Sequence, residues 1–189
     1  MKRNVFIKEL SGGDRRSIGK SESVVADVLA DARLFAPLFE CMLADDPLVR
    51  MRAADAVEKI TALRPDFLRP FKAKLIRRVA RINQQEVRWH VAQLFSRLEL
   101  NKADRHEVLL VLKDYLKDES KIVKTFSMQA LADMALQDER LRPSIIGQLE
   151  ALTSQGSPAM QSRGRKLLAE LSKATPDIEK SKARGRKHD

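Results

Sequence analysis

Apolar residues return every three or four positions along most of this 189-residue chain, a period that predicts amphipathic helices and no strands. In the clearest stretch Val49, Ala53, Ala56, Val57 and Ile60 make one stripe. Equivalent stripes follow at Val87, Val91, Leu94, Phe95 and Leu98, at Val123, Ser127, Ala130, Leu131 and Met134, and at Met160, Gly164, Leu167, Leu168 and Leu171. The four segments, 49–60, 87–98, 123–134 and 160–171, start 38, 36 and 37 residues apart. A repeat of this length predicts a solenoid, because one helical hairpin cannot bury its own apolar face and stacks on copies of itself. A first helix is predicted ahead of each segment: Leu34, Leu38, Met42 and Leu43; Leu75, Ile76 and Val79; Val108, Leu112 and Tyr115; Ile145, Ile146 and Leu149. Two Leu-Arg-Pro triplets, beginning at Leu68 and Leu141, lie 73 residues apart and fix the same register independently.

Helix starts carry their own signals. Asp46-Pro47 and Ser157-Pro158 pair a capping side chain with Pro at the first helical position. Ser120 occupies the same register, and Gln84 is the weak cap of the set. Ser21 or Ser23 is expected to cap an upstream helix through Val24, Val25, Val28 and Leu29, and the Gly12-Gly13 pair to break it from what precedes. The expected organisation is an N-terminal helical cap or degenerate repeat over 1–31, a repeat domain over 32–172 and a disordered basic tail over 173–189.

The pattern Asp-x-x-Val-Arg-x-x-Ala-Ala at 46–54 resembles the second helix of HEAT repeats. The resemblance covers about 32–172 and implies a right-handed α-solenoid of about four helical hairpins. It also implies a structural ladder between neighbouring repeats, built here from Asp46, Arg50, Arg88 and Lys124. Gln84, Ser120 and Ser157 replace the ladder Asp, and Gln161 the Arg. Members are mostly scaffolds and adaptors, so the resemblance implies an interaction protein; the chain also looks like small bacterial HEAT-repeat proteins.

Composition narrows this further. Aromatic content of 5% against 43% apolar predicts a fine-grained aliphatic core. The single cysteine, Cys41, excludes an intrachain disulfide, and no apolar run reaches the roughly 18 residues of a membrane span. The N-terminus lacks the apolar stretch of a signal peptide, so a soluble cytoplasmic protein is expected. The net charge of +10 is uneven: residues 64–101 hold nine Lys and Arg against three Asp and Glu. Such an excess favours anionic partners.

Within it, Lys74, Arg77, Arg78 and Arg81 follow helical spacing and, with Lys72, make a candidate anion or nucleic-acid face. No carboxylate stands between Asp66 and Glu86, so its field is expected to be unneutralised. Lys180, Lys182, Arg184, Arg186 and Lys187 of the tail are expected to add non-specific phosphate contacts. Catalytic constellations are not evident. His90, His106 and His188 are scattered, and His106-Glu107 is the lone His-Glu pair where HEAT-type di-iron hydroxylases need several. Ser17–Lys20 has nucleophile-base spacing but sits in a charged segment. HEAT-like alkylpurine DNA glycosylases use aromatic residues and an Asp, which makes Trp89 and Asp55 worth locating.

Trp89 stands off its apolar stripe, in register with Met51, Thr125 and Ser162; one turn on lie Asp55, Gln93, Gln129 and Lys166. In HEAT-like stacking these positions face the concave groove. The expected function is therefore a non-enzymatic scaffold, without cofactor, binding a protein partner through these eight residues. Nucleic-acid binding through the basic face and tail is the rival, and a glycosylase a remote third option.

Overall fold

A computed structural model describes residues 5–13 and 20–174. The described residues are helical throughout, with ten α-helices and four short 3-10 segments and no strand. The tail residues 175–189 and Ser17 lie outside the described residues. The chain forms two compact units, the first extending to Ala130 and the second beginning at Leu131, within α8.

In the first unit α1 (Val5–Leu10) and α2 (Ser21–Ala30) precede α3 (Phe35–Cys41) and α4 (Pro47–Leu63). α5 (Lys72–Arg77), α6 (Gln85–Phe95), α7 (Lys102–Tyr115) and α8 (Lys121–Gln137) follow. α4 is the centre of the packing. α2 and α6 flank it, and α1 and α3 also lie against it. Its start is as the sequence predicts: Asp46 Oδ1 accepts from the Leu48 N–H at 2.8 Å, with Pro47 at the first position. Its end has an equally local cause, since Pro65 pushes Arg64 to φ −132°, ψ 71°. All five stripe residues of α4 are fully buried. So are Val87, Val91 and Leu94 of α6, and Val123, Ser127 and Leu131 of α8.

Four local expectations are corrected. The helix expected through Leu75, Ile76 and Val79 is broken into a 3-10 segment Pro65–Phe71, α5, and a 3-10 turn Val79–Arg81. Pro65 and Pro70 remove two amide donors within seven residues, and Arg78 leaves helical geometry at φ −120°, ψ −61°. Lys74, Arg77, Arg78 and Arg81 therefore do not share one continuous helix. Neither Ser21 nor Ser23 caps α2 by accepting from its amides; Ser21 is buried, and Lys20 takes the cap position. The core is not purely aliphatic: Phe35, Phe39, Phe67 and Phe71 form a ring cluster with centroids 4.6–6.4 Å apart. Low aromatic content thus describes the average and not the distribution, because four of the seven Phe converge at one place. The fourth concerns Lys173, placed with the tail by its composition; it instead closes the last helix.

The Gly12-Gly13 break is real. Both residues lie at φ +77°, a region that costs L side chains about 1–2 kcal/mol. The turn folds over Arg52 of α4, which is 2% exposed. Arg52 donates from one terminal nitrogen to the carbonyls of Leu10 at 2.8 Å and Gly12 at 2.6 Å. A buried guanidinium thereby caps the C-terminus of α1.

In the second unit α9 (Arg142–Gln155) packs on α10 (Pro158–Lys173) through Ile145, Leu149, Met160, Gly164, Leu167 and Leu171. Ser157 caps α10 by accepting from the Met160 N–H, with Pro158 following. Arg142 ties the pair's ends together, donating to the carbonyls of Ala135 and Ala174. No described helix is long and apolar enough to cross a membrane.

Candidate functional site

Once α4 and α6 have buried their stripes against each other and their neighbours, each is left with one half-buried outer strip. On α4 this strip holds Met51, Asp55, Glu58 and Lys59; on α6 it holds Trp89, His90, Gln93 and Arg97 just beyond the helix end. Thr125 and Gln129 are likewise half-buried on α8. Six of the eight predicted groove residues therefore lie in the first unit at comparable burial. Ser162 and Lys166 are exposed on α10 of the second unit.

Most polar side chains of the α4 and α6 strips already have partners. Asp55 accepts from the Ser21 hydroxyl at 2.8 Å and pairs with Lys59 at 2.9 Å. The carboxylate considered for glycosylase chemistry is thus already doubly held, and it ties α2 to α4. Gln93 donates to the Trp89 carbonyl at 3.3 Å, and Thr125 to that of Lys121 at 2.7 Å. Arg97 grips α4 by an ion pair to Glu58 and a 2.8 Å bond to the Thr61 hydroxyl. The Ser21–Asp55, Arg97–Thr61 and Arg97–Glu58 partners are 34, 36 and 39 residues apart in sequence, beyond the reach of any spacing rule within one helix.

His90 is the residue that sequence reasoning passed over. It is mostly buried, and its Nδ1 has no hydrogen-bond partner among the described residues. Burial pushes the imidazole down to about 4, while Asp55 and Glu58 pull it up and Lys59 and Arg97 oppose them. The sequence shows no carboxylate near His90 at ligand spacing; the packing of α6 on α4 brings two within electrostatic range. Among the described residues no group of three His, Cys, Asp or Glu stands where it would hold a metal ion. The Trp89 ring lies 5.7 Å from that of His90, centroid to centroid. The other candidate histidine, His106, is exposed, and its neighbour Glu107 pairs with Arg77.

The ladder residues divide. Arg50 Nε donates to Gln84 Oε1 at 2.8 Å, and Gln84 donates back to the Pro47 carbonyl at 2.8 Å. This explains why Gln84 is a poor cap: its amide is spent on the preceding segment. Arg88 donates to Asp118 at 2.6 Å and lies over the Tyr115 ring at 5.2 Å. Asp46 is a helix cap and takes no part in the Arg50 contact, so its predicted ladder role is corrected. Lys124 has no side-chain partner among the described residues.

The basic region departs most from expectation. Lys72 pairs with Asp104 at 2.6 Å, Lys74 with Glu40, and Arg77 with Glu107 at 3.5 Å. Arg64 pairs with Asp66, Arg69 with Glu99, Arg88 with Asp118 and Arg97 with Glu58. Seven of the nine cations in 64–101 are thereby neutralised, leaving Arg78 and Arg81. Among the described residues the expected unneutralised field shrinks to these two, because α3, α4 and α7 supply carboxylates that local sequence does not show. Compared with known proteins, the chain matches no family model, no curated protein and no solved structure.

Proposed function

We propose that this chain is a right-handed α-solenoid of about four HEAT-like hairpins and serves as a non-enzymatic interaction module in the cytoplasm. Its protein partner docks on the outer strips of α4, α6 and α8, at Met51, Asp55, Trp89, Gln93, Thr125 and Gln129. The observation that carries the reading is Trp89, the sole tryptophan, half-buried outside the apolar stripe of a helix whose stripe is already filled. A large ring held on a packed helix has little freedom left to lose on binding. Trp covered by a partner is also among the strongest interface anchors. The neutralised cations support a protein partner over nucleic acid, since a phosphate backbone needs a track of unpaired Lys and Arg.

The test uses Trp89 as target and reporter. A photo-crosslinking residue at Gln93 identifies the partner in cells, and its binding is titrated by tryptophan emission or calorimetry. Trp89→Ala is expected to weaken binding about 30-fold, the equivalent of about 2 kcal/mol, with the melting temperature nearly unchanged. A stability loss of about 3–5 kcal/mol would instead make Trp89 a core residue and overturn the reading.

A further inference from the structure

Arg78 and Arg81 stand apart from the other cations of residues 64–101. Each of the others has a carboxylate within 4.0 Å; these two have none among the described residues, and both are exposed. They belong to one turn: the Arg81 N–H donates to the Arg78 carbonyl at 3.2 Å. A turn closed by this bond keeps the two Cα atoms within about 7 Å. Between them Val79 and Ala80 are buried, which turns both arginines outward. The turn is anchored from behind, where the buried Tyr115 hydroxyl donates to the Ala80 carbonyl at 2.9 Å. Asp114, the nearby exposed carboxylate, reaches Arg88 at 4.0 Å and neither of these two.

We propose that Arg78 and Arg81 form a docking point for a phosphomonoester carried on a side chain of the protein partner. Two adjacent guanidinium forks present a local charge of +2 and several directed donors, which match one phosphate dianion with its three acceptor oxygens. The same pairing decides against a nucleic acid as occupant. The cations flanking the turn, Lys74 and Arg77, are held by Glu40 and Glu107, so no track of free charge continues for a second and third phosphate. The site rests on the reading of a protein partner and lies outside the strip that carries Trp89.

The test is a titration of the isotope-labelled full chain with N-acetyl-phosphoserine amide and with inorganic phosphate, followed at the arginine Nε–H signals. Saturable shifts at Arg78 and Arg81 are expected with phosphoserine and not with the unphosphorylated amide. Arg78→Gln with Arg81→Gln should weaken binding by about tenfold or more while leaving the fold intact, since neither side chain has a partner to lose. Trp89→Ala should leave phosphoserine binding unchanged, so failure here and failure at the Trp89 strip are separable. Absence of a saturable shift overturns the proposal. So does tight binding of a short DNA duplex, steep in salt and lost on Lys74→Glu and Arg77→Glu, which would make the face a nucleic-acid track.

Discussion

Acidification should destabilise this protein through His90 by an amount the structure sets. In the folded state burial lowers the His90 pKa from 6.5 to about 4. The unfolded chain therefore binds a proton at a pH where the folded one does not, and stability falls as pH drops from about 6.5 toward 4. With those two values the linkage integral between pH 7 and pH 4.5 is on the order of 2–3 kcal/mol. The His90 contribution is isolated by difference. Urea unfolding of the parent and of His90→Leu is measured at pH 7 and at pH 4.5. Leu cannot take up the proton and leaves no polar atom unpaired, so the variant should gain on the order of 2–3 kcal/mol on the parent between the two pH values. A proton-detected titration of the His90 ring in the folded protein checks the same point directly. A gap between parent and variant that stays constant with pH, together with a ring that titrates near 6.5, would refute the buried-imidazole reading.

Arg52→Met should cost about 1–3 kcal/mol, because it leaves the buried Leu10 carbonyl and the part-buried Gly12 carbonyl without a charged donor. Hydrogen exchange should show protection lost first over residues 5–13, and a cost under about 1 kcal/mol would mean that the turn over Arg52 is unimportant. Leu94→Ala, at a fully buried position of α6, should cost about 2–5 kcal/mol in thermal or denaturant unfolding. A surface-like value would undo the register assigned to α6.

How far the sequence speaks depends on how far each interaction reaches along the chain. Helix period, the Asp46 and Ser157 caps, the stop at Pro65 and the break at Gly12-Gly13 are local, and all were readable from neighbouring residues. The apolar stripes were readable for a related reason: helical spacing alone marks which face needs burial. The break at Arg78 was half-legible, since Pro70 was visible but a run of apolar residues continued past it.

Charge pairing was not legible, because its partners come from elements about 30 residues away. Lys74 with Glu40, Arg77 with Glu107 and Arg97 with Glu58 turn a basic run into a set of struts between helices. His90 passes from a scattered histidine to a buried ring beside two carboxylates by the same route. Arg52 caps α1 only because the chain folds back over it, with Leu10 and Gly12 lying 42 and 40 residues away in sequence. Periodicity and caps are properties of the local chain, so the sequence by itself determined an all-helical protein and the faces it must bury. Which charges remain free, and therefore what the surface offers a partner, is set by Coulomb and hydrogen-bond contacts across space, and only the tertiary structure decided that.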